Sequence, residues 1–139
     1  MGFDLTNDKG SYLRFSPSGW ALALNLAEAY GWVPAGTTLP HDGEFAGVNW
    51  TGEYATNEGQ RVSSEDAMAL AQACTRALVP EDYVARTAAI LKALFDRVDR
   101  AVGGTPPGRA PFNEPEIITF RGRLEELIAF CHEGGFVIE

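Results

Sequence analysis

The side chains best suited to acid–base or metal chemistry in this chain are its two histidines, His41 and His132. His41 opens the run His41-Asp42-Gly43-Glu44, where three kinds of ligating or proton-transferring side chain stand together. The run indicates either part of a small hydrolase or metal-dependent enzyme, built on His41, Asp42 and Glu44, or a solvated turn. We favour the turn, because catalytic zinc usually takes three protein ligands, some of them at a regular helical or strand spacing.

His132 follows Cys131 at the end of a predicted helix, so a thiol–imidazole pair is also considered. Adjacent helical residues point about 100° apart, which makes direct activation of the thiol awkward. A histidine at a helix C-terminus complements the helix dipole, and we expect that role for His132. Cys74 and Cys131 each fall on the apolar face of a predicted helix and are expected to be buried, reduced thiols.

The sequence lacks the common motifs for cofactors and nucleophiles. It contains no Gly-x-Gly-x-x-Gly or Gly-x-x-x-x-Gly-Lys-Ser/Thr phosphate loop, and no Gly-x-Ser-x-Gly elbow. We therefore expect no cofactor, no metal and no catalytic residue, and we favour a binding role over an enzymatic one.

A better candidate site is the long segment between Trp32 and Val62, which has five glycines, two prolines and no sustained helical period. Unusually long loops are often functional, and pockets and interfaces combine aromatic area with a few orienting polar groups. The segment predicts a binding site for a protein or small-molecule partner, or else a cluster that holds the loop against the body. The predicted contact residues are Trp32, Trp50, Tyr54, Asn57, Gln60 and Arg61, with Phe45 among the rings and with Arg14 if this strand residue turns toward the loop.

The charge balance argues against a nucleic-acid partner. Nineteen acidic and eleven basic side chains give a net charge of -8, whereas affinity for phosphate backbones depends on Lys and Arg contacts. An acidic surface suits a basic protein partner or serves solubility alone. Acidic pairs such as Glu65 and Asp66 are expected in the first turns of helices, where they complement the dipole.

Local signals predict the elements that must position these residues. Turn residues, N-caps, glycine stops and apolar periodicity mark their ends. The predicted elements are a hairpin of residues 3–5 and 11–15, a helix over 16–31, a mid-chain hairpin of 49–55 with 61–62, helices beginning at Ser63, Pro80 and Pro115, and a terminal strand over 136–139. Together they predict a single domain, residues 1–139, with an α+β fold: a small, mostly antiparallel sheet covered by about four helices.

The apolar segments are long enough to contribute to a core but too short to span a bilayer. Even the run at residues 90–95 is interrupted by Lys92, so we expect no membrane span. The third helix carries an apolar stripe over residues 84–102, which predicts core packing or at most a homodimer seam. The N-terminus shows no basic and apolar pattern of a signal peptide, so a cytoplasmic location is expected.

Five short motifs are spread along the chain: Met1-Gly2-Phe3-Asp4, Tyr12-Leu13-Arg14-Phe15, Tyr30-Gly31-Trp32-Val33-Pro34-Ala35-Gly36-Thr37, Asn57-Glu58-Gly59-Gln60-Arg61-Val62 and Phe130-Cys131-His132-Glu133-Gly134-Gly135-Phe136. Together they resemble a family of short bacterial proteins of unknown function. The resemblance runs nearly end to end and consists of residues with structural roles, without a catalytic signature. It implies a bacterial cytosolic setting and no particular chemistry.

The predicted elements also imply that the protein unfolds as one cooperative unit. The terminal strands can bury their apolar faces only against the central helices, so neither part is stable without the other. Calorimetry should show a single transition, and two well-separated transitions would contradict the single-domain assignment.

Overall fold

A computed structural model of the chain describes residues 2–39, 51–79, 81–102 and 113–139. Across these ranges, four helices and a four-stranded antiparallel sheet confirm the predicted α+β class. The elements in chain order are β1 (Phe3–Asn7), β2 (Tyr12–Phe15), α1 (Pro17–Ala29), β3 (Gln60–Val62), α2 (Ser64–Leu78), α3 (Tyr83–Val102), α4 (Glu114–His132) and β4 (Phe136–Ile138). Within these ranges, no helix has the length and apolar composition that crossing a bilayer requires.

Three helices begin at side-chain caps, and the sequence signals the first two of these caps. Ser16 Oγ accepts a hydrogen bond from the Gly19 N–H at 3.1 Å, and Ser63 Oγ accepts one from the Asp66 N–H at 3.1 Å. Helix α4 starts one residue before the predicted Pro115, because Asn113 and Glu116 form a reciprocal capping box. The first two caps fix where α1 follows β2 and where α2 follows β3.

The sheet has the strand order β2-β1-β4-β3. The N-terminal hairpin is confirmed, with Leu5 opposite Leu13. The terminal strand β4 lies between β1 and β3, so that Leu5 and Gln60 both pair with Ile138. One face of the sheet packs on the helices, while the other carries exposed polar side chains, as antiparallel sheets commonly do.

The predicted mid-chain hairpin is not formed. Strand β3 pairs with β4 on one side and with Thr38 on the other, and residues 51–55 form no strand. Gly52 has a φ of +76°, which is incompatible with an extended strand. Its Cα also approaches Gly36 so closely that a Cβ built on Gly52 would lie 3.2 Å from the Gly36 Cα.

The core forms between the sheet and the helices, around the fully buried indole of Trp20 in α1. The Trp20 ring contacts Phe15 of β2 and Phe136 of β4, at centroid distances of 5.6 and 6.5 Å. Its Nε1 donates to the Tyr54 carbonyl at 2.7 Å, which ties the long loop to the core. The buried indole therefore joins both chain ends to the loop.

Helix α3 turns a slightly different face inward than the apolar stripe predicts. Among the α3 residues whose side chains are described, Tyr83, Thr87 and Leu91 are buried, while Ala88 of the predicted stripe is exposed. The Tyr83 hydroxyl donates to the Ile117 carbonyl of α4 at 3.0 Å, so this amphipathic ring takes the core position. Of the described residues of the stripe, Leu91 is buried and Val84 packs partly buried against the core.

Both cysteines are confirmed as buried, unpaired thiols. Burial raises the pKa of Cys74 to about 12, and burial followed by the nearby Cys74 and Asp66 raises the pKa of Cys131 still further. Above about pH 9 the unfolded chain loses thiol protons that the folded chain retains, so folding stability should fall as the pH rises from about 9 toward 12. We expect a loss of up to about 1.4 kcal/mol per pH unit for each thiol, measured by denaturant unfolding.

The matched control is the double variant Cys74→Ala and Cys131→Ala, in which this alkaline slope should be shallower. Thiol reagents should label the wild-type protein only as fast as local or global unfolding exposes the two thiols. Rapid labelling of the native protein, or an unchanged slope in the double variant, would contradict the burial of these thiols.

Candidate functional site

The predicted aromatic residues Trp32 and Tyr54 lie together at the base of the long loop. Their ring centroids are 5.1 Å apart in an edge-to-face arrangement with an interplanar angle of 82°. The side chains are only 4% and 9% exposed. The two rings therefore contact each other and the body of the protein, and they form part of the hydrophobic core.

A single buried carboxylate, Asp66, holds this ring pair. Asp66 is 3% exposed and lies in the first turn of α2. Its Oδ1 accepts hydrogen bonds from Trp32 Nε1 at 3.0 Å and from the Ala35 N–H at 3.3 Å, and its Oδ2 accepts one from the Tyr54 hydroxyl. Because every partner is a donor, the group acts as an acceptor-only carboxylate, which the helix N-terminus favours.

Tyr54 extends this network to the opposite limb of the loop. Its hydroxyl accepts a hydrogen bond from the Gly36 N–H at 2.8 Å while it donates to Asp66. Burial, and then the hydrogen bond to Asp66, raise the pKa of Tyr54 well above its usual range. The Tyr54 hydroxyl therefore stays protonated and remains a hydrogen-bond donor to Asp66.

The predicted amide contacts serve the loop itself. Gln60 is fully buried, and its Nε2 donates to the carbonyls of Glu53 and Thr56 at 3.2 and 2.5 Å. Its Oε1 accepts from the Glu58 N–H at 2.8 Å, so one side chain closes the turn before β3. Asn57 Nδ2 donates to the Gly2 carbonyl at 3.2 Å and ties the same turn to the N-terminus.

The two predicted arginines lie apart from the rings and from each other. Arg61 is on β3, where its Nη2 donates to both carboxylate oxygens of Asp8 at 2.8 and 2.6 Å. Arg14 is on β2, at the opposite side of the sheet, and pairs with Asp4 at 3.1 Å. Both project from the exposed face of the sheet, so they do not converge with Trp32 and Tyr54 on one pocket.

The remaining predicted site residues lie outside the described residues. They are Phe45 and Trp50 of the aromatic set, and His41, Asp42 and Glu44 of the alternative enzymatic set. Their roles stay predictions. In the part of the chain that the structure describes, no three His, Cys, Asp or Glu side chains are grouped so as to hold a metal ion.

The structure also contains a groove that the sequence did not indicate, between the start of α1 and the first turns of α4. Its volume is about 370 Å³, and its walls include Phe15, Gly19, Thr119, Phe120 and Arg123. The Arg123 guanidinium lies over the Phe15 ring at 4.6 Å from its centroid and pairs with Glu126 at 2.5 Å. The groove exists because tertiary packing brings two helix N-termini together, for which no local sequence signal exists.

Asp66 is likewise a residue whose role the sequence did not reveal, since an acid in a first helical turn is ordinarily explained by the dipole. The available signal is chemical: a buried indole N–H and a buried phenol each need an acceptor.

Comparison of the chain with protein-family models, with curated proteins and with solved structures gives no match. The functional assignment therefore depends on the geometry of the described residues.

The Asp66 network predicts a large difference between two neighbouring acids. Asp66→Asn replaces one acceptor oxygen by a donor, leaves a buried donor without a partner and should lower the free energy of unfolding by about 1 to 3 kcal/mol. Glu65→Gln removes the same charge from the same turn at an exposed site and should change it by less than about 0.5 kcal/mol. Urea unfolding at neutral pH measures both, and equal effects would show that Asp66 contributes only its charge.

Proposed function

We propose that this protein is a non-enzymatic binding module that engages a partner protein through the loop between Trp32 and Val62. The observation that supports the proposal is the attachment of both limbs of this loop to one buried carboxylate. Asp66 accepts hydrogen bonds from Trp32 and Ala35 on the first limb and from Tyr54 on the second.

Further contacts hold the limbs close to each other. The Thr37 N–H donates to the Gly52 carbonyl at 3.3 Å, and Thr37 Oγ1 donates to the Glu53 carbonyl at 2.7 Å. A loop with fixed ends loses less conformational entropy when it binds, and binding residues commonly lie on loops that a rigid scaffold positions. This arrangement suits a recognition loop on a stable base.

The proposal gives different roles to the two tryptophans of the loop. Trp32 belongs to the base, where its ring and its indole N–H are used internally. Trp50 is the proposed contact residue, since tryptophan is among the residues that most often dominate protein interfaces. No contact among the described residues favours the enzymatic alternative at His41, Asp42 and Glu44, so we do not propose it.

A bacterial cytosolic setting is part of this proposal. This setting is implied by the resemblance to short bacterial proteins. It also agrees with the two buried thiols, which are not joined in a disulfide.

The test compares Trp50→Ala with Trp32→Ala. Trp32→Ala should lower the free energy of unfolding by about 3 to 5 kcal/mol, as truncation of a buried large aromatic does. Trp50→Ala should change it by less than about 1 kcal/mol, since an exposed contact residue contributes little to folding. Peptides selected from a phage-displayed random library on the immobilised wild-type chain should bind Trp50→Ala at least about tenfold more weakly.

Glu65→Gln serves as the control for binding, because it changes an exposed side chain outside the loop and should leave the affinity unaltered. If Trp50→Ala destabilises the fold as much as Trp32→Ala while the affinity for the selected peptides is unchanged, the loop is a structural cluster and the proposal is wrong.

A further inference from the structure

The two edges of the sheet differ in whether another described segment of the chain covers them. At the β3 edge, Arg61 exchanges two backbone hydrogen bonds with Thr38, at 2.7 and 3.1 Å. The loop limb thus covers that edge. At the opposite edge, β2 has β1 on its inner side, and no described strand lies on its outer side.

The pairing register determines which backbone groups of β2 point outward. Asp4 of β1 exchanges two hydrogen bonds with Glu139, at 2.9 and 2.8 Å, so its backbone groups face β4. In an antiparallel sheet the direction alternates along a strand, and Leu5 of β1 therefore faces β2 and its partner Leu13. It follows that Tyr12 and Arg14 direct their N–H and C=O groups away from the sheet.

One of these four groups is already used. The Arg14 carbonyl accepts a hydrogen bond from Arg123 Nη2 of α4. Stacking on Phe15 and the ion pair with Glu126 hold this guanidinium in place. Among the described residues, the Tyr12 N–H, the Tyr12 C=O and the Arg14 N–H have no partner.

We propose that the β2 edge binds an extended segment of another protein as a fifth strand of the sheet. The open groups follow one another as donor, acceptor and donor, and an extended backbone complements this order by strand addition. The groove begins at Phe15 and Arg123, beside the end of this edge, and its apolar walls can take one apolar side chain of the segment.

A second copy of the chain fits this edge less well. Symmetric antiparallel pairing centred on Leu13, the register that uses all the outward groups, would place Tyr12 of one copy opposite Arg14 of the other. It would require both Arg14 carbonyls, which Arg123 occupies. Two copies would also each carry a net charge of -8 and repel at long range. The same charge favours a segment with basic residues, so the occupant we infer is a basic, extended segment with an apolar anchor.

This surface is independent of the proposed recognition loop. The limbs of the loop attach beside β3, and three strand spacings, roughly 14 Å, separate β3 from β2. The two proposals are therefore tested by different variants and can fail separately.

The experiment selects peptides from a phage-displayed random library on the full chain and follows hydrogen exchange of the backbone amides by NMR. Without peptide, the Tyr12 and Arg14 amides should exchange quickly. A saturating selected peptide with basic and apolar residues should slow these two amides at least about tenfold and leave the already protected Leu13 and Phe15 amides unchanged. This measurement needs no variant.

A matched pair of substitutions tests the backbone contact directly. Arg14→Pro removes the outward N–H at a position where an edge strand tolerates proline, and it should weaken peptide binding at least about tenfold. Arg14→Val removes the same ion pair with Asp4 but keeps the N–H, and it should bind the peptide like the wild type.

Three outcomes would overturn the inference. They are the absence of peptides that protect Tyr12 and Arg14, equal binding by the Pro and Val variants, and protection that appears with rising protein concentration alone. The last result would assign the edge to a second copy of the chain.

Discussion

The buried carboxylate of Asp66 is the interaction on which the arrangement of the long loop depends. An indole N–H and a phenol cannot be buried without an acceptor, and Asp66 supplies one to Trp32 and another to Tyr54. The carboxylate in turn is tolerated at low exposure because three donors and the start of α2 surround it. Removing the Asp66 carboxylate would leave the Trp32 indole N–H and the Tyr54 hydroxyl without their acceptor.

Shared contacts also link the long loop to the sheet. Trp20 packs between the rings of Phe15 and Phe136 and donates to the Tyr54 carbonyl, so the ring cluster under the sheet and the Asp66 network share one residue. Thr38, on the first limb, closes the outer edge of β3. The loop that contains the predicted recognition site is therefore also a structural part of the sheet, and this explains why so many of its polar side chains are satisfied internally.

The candidate site was only partly predictable from the sequence. Trp32, Tyr54 and Gln60 were expected to act together, and all three are ordered around the loop; yet their polar atoms face internal partners. Composition alone does not tell a contact surface from an internal cluster, because both need aromatic area and hydrogen-bonding groups. Arg14 and Arg61 were grouped with the rings, but strand order places them at opposite edges, where each has a nearby Asp partner.

The sequence by itself determined the helices, the N-terminal hairpin and the α+β class, because the Ser16 and Ser63 caps, the turn before Ser11 and the apolar periodicity act over a few residues. Only the tertiary structure decided that β3 pairs with the C-terminal strand, that Asp66 accepts from both limbs of the loop and that no described strand covers the outer edge of β2. These features join segments far apart in the chain, and their energies depend on which groups are buried together, which no local pattern encodes.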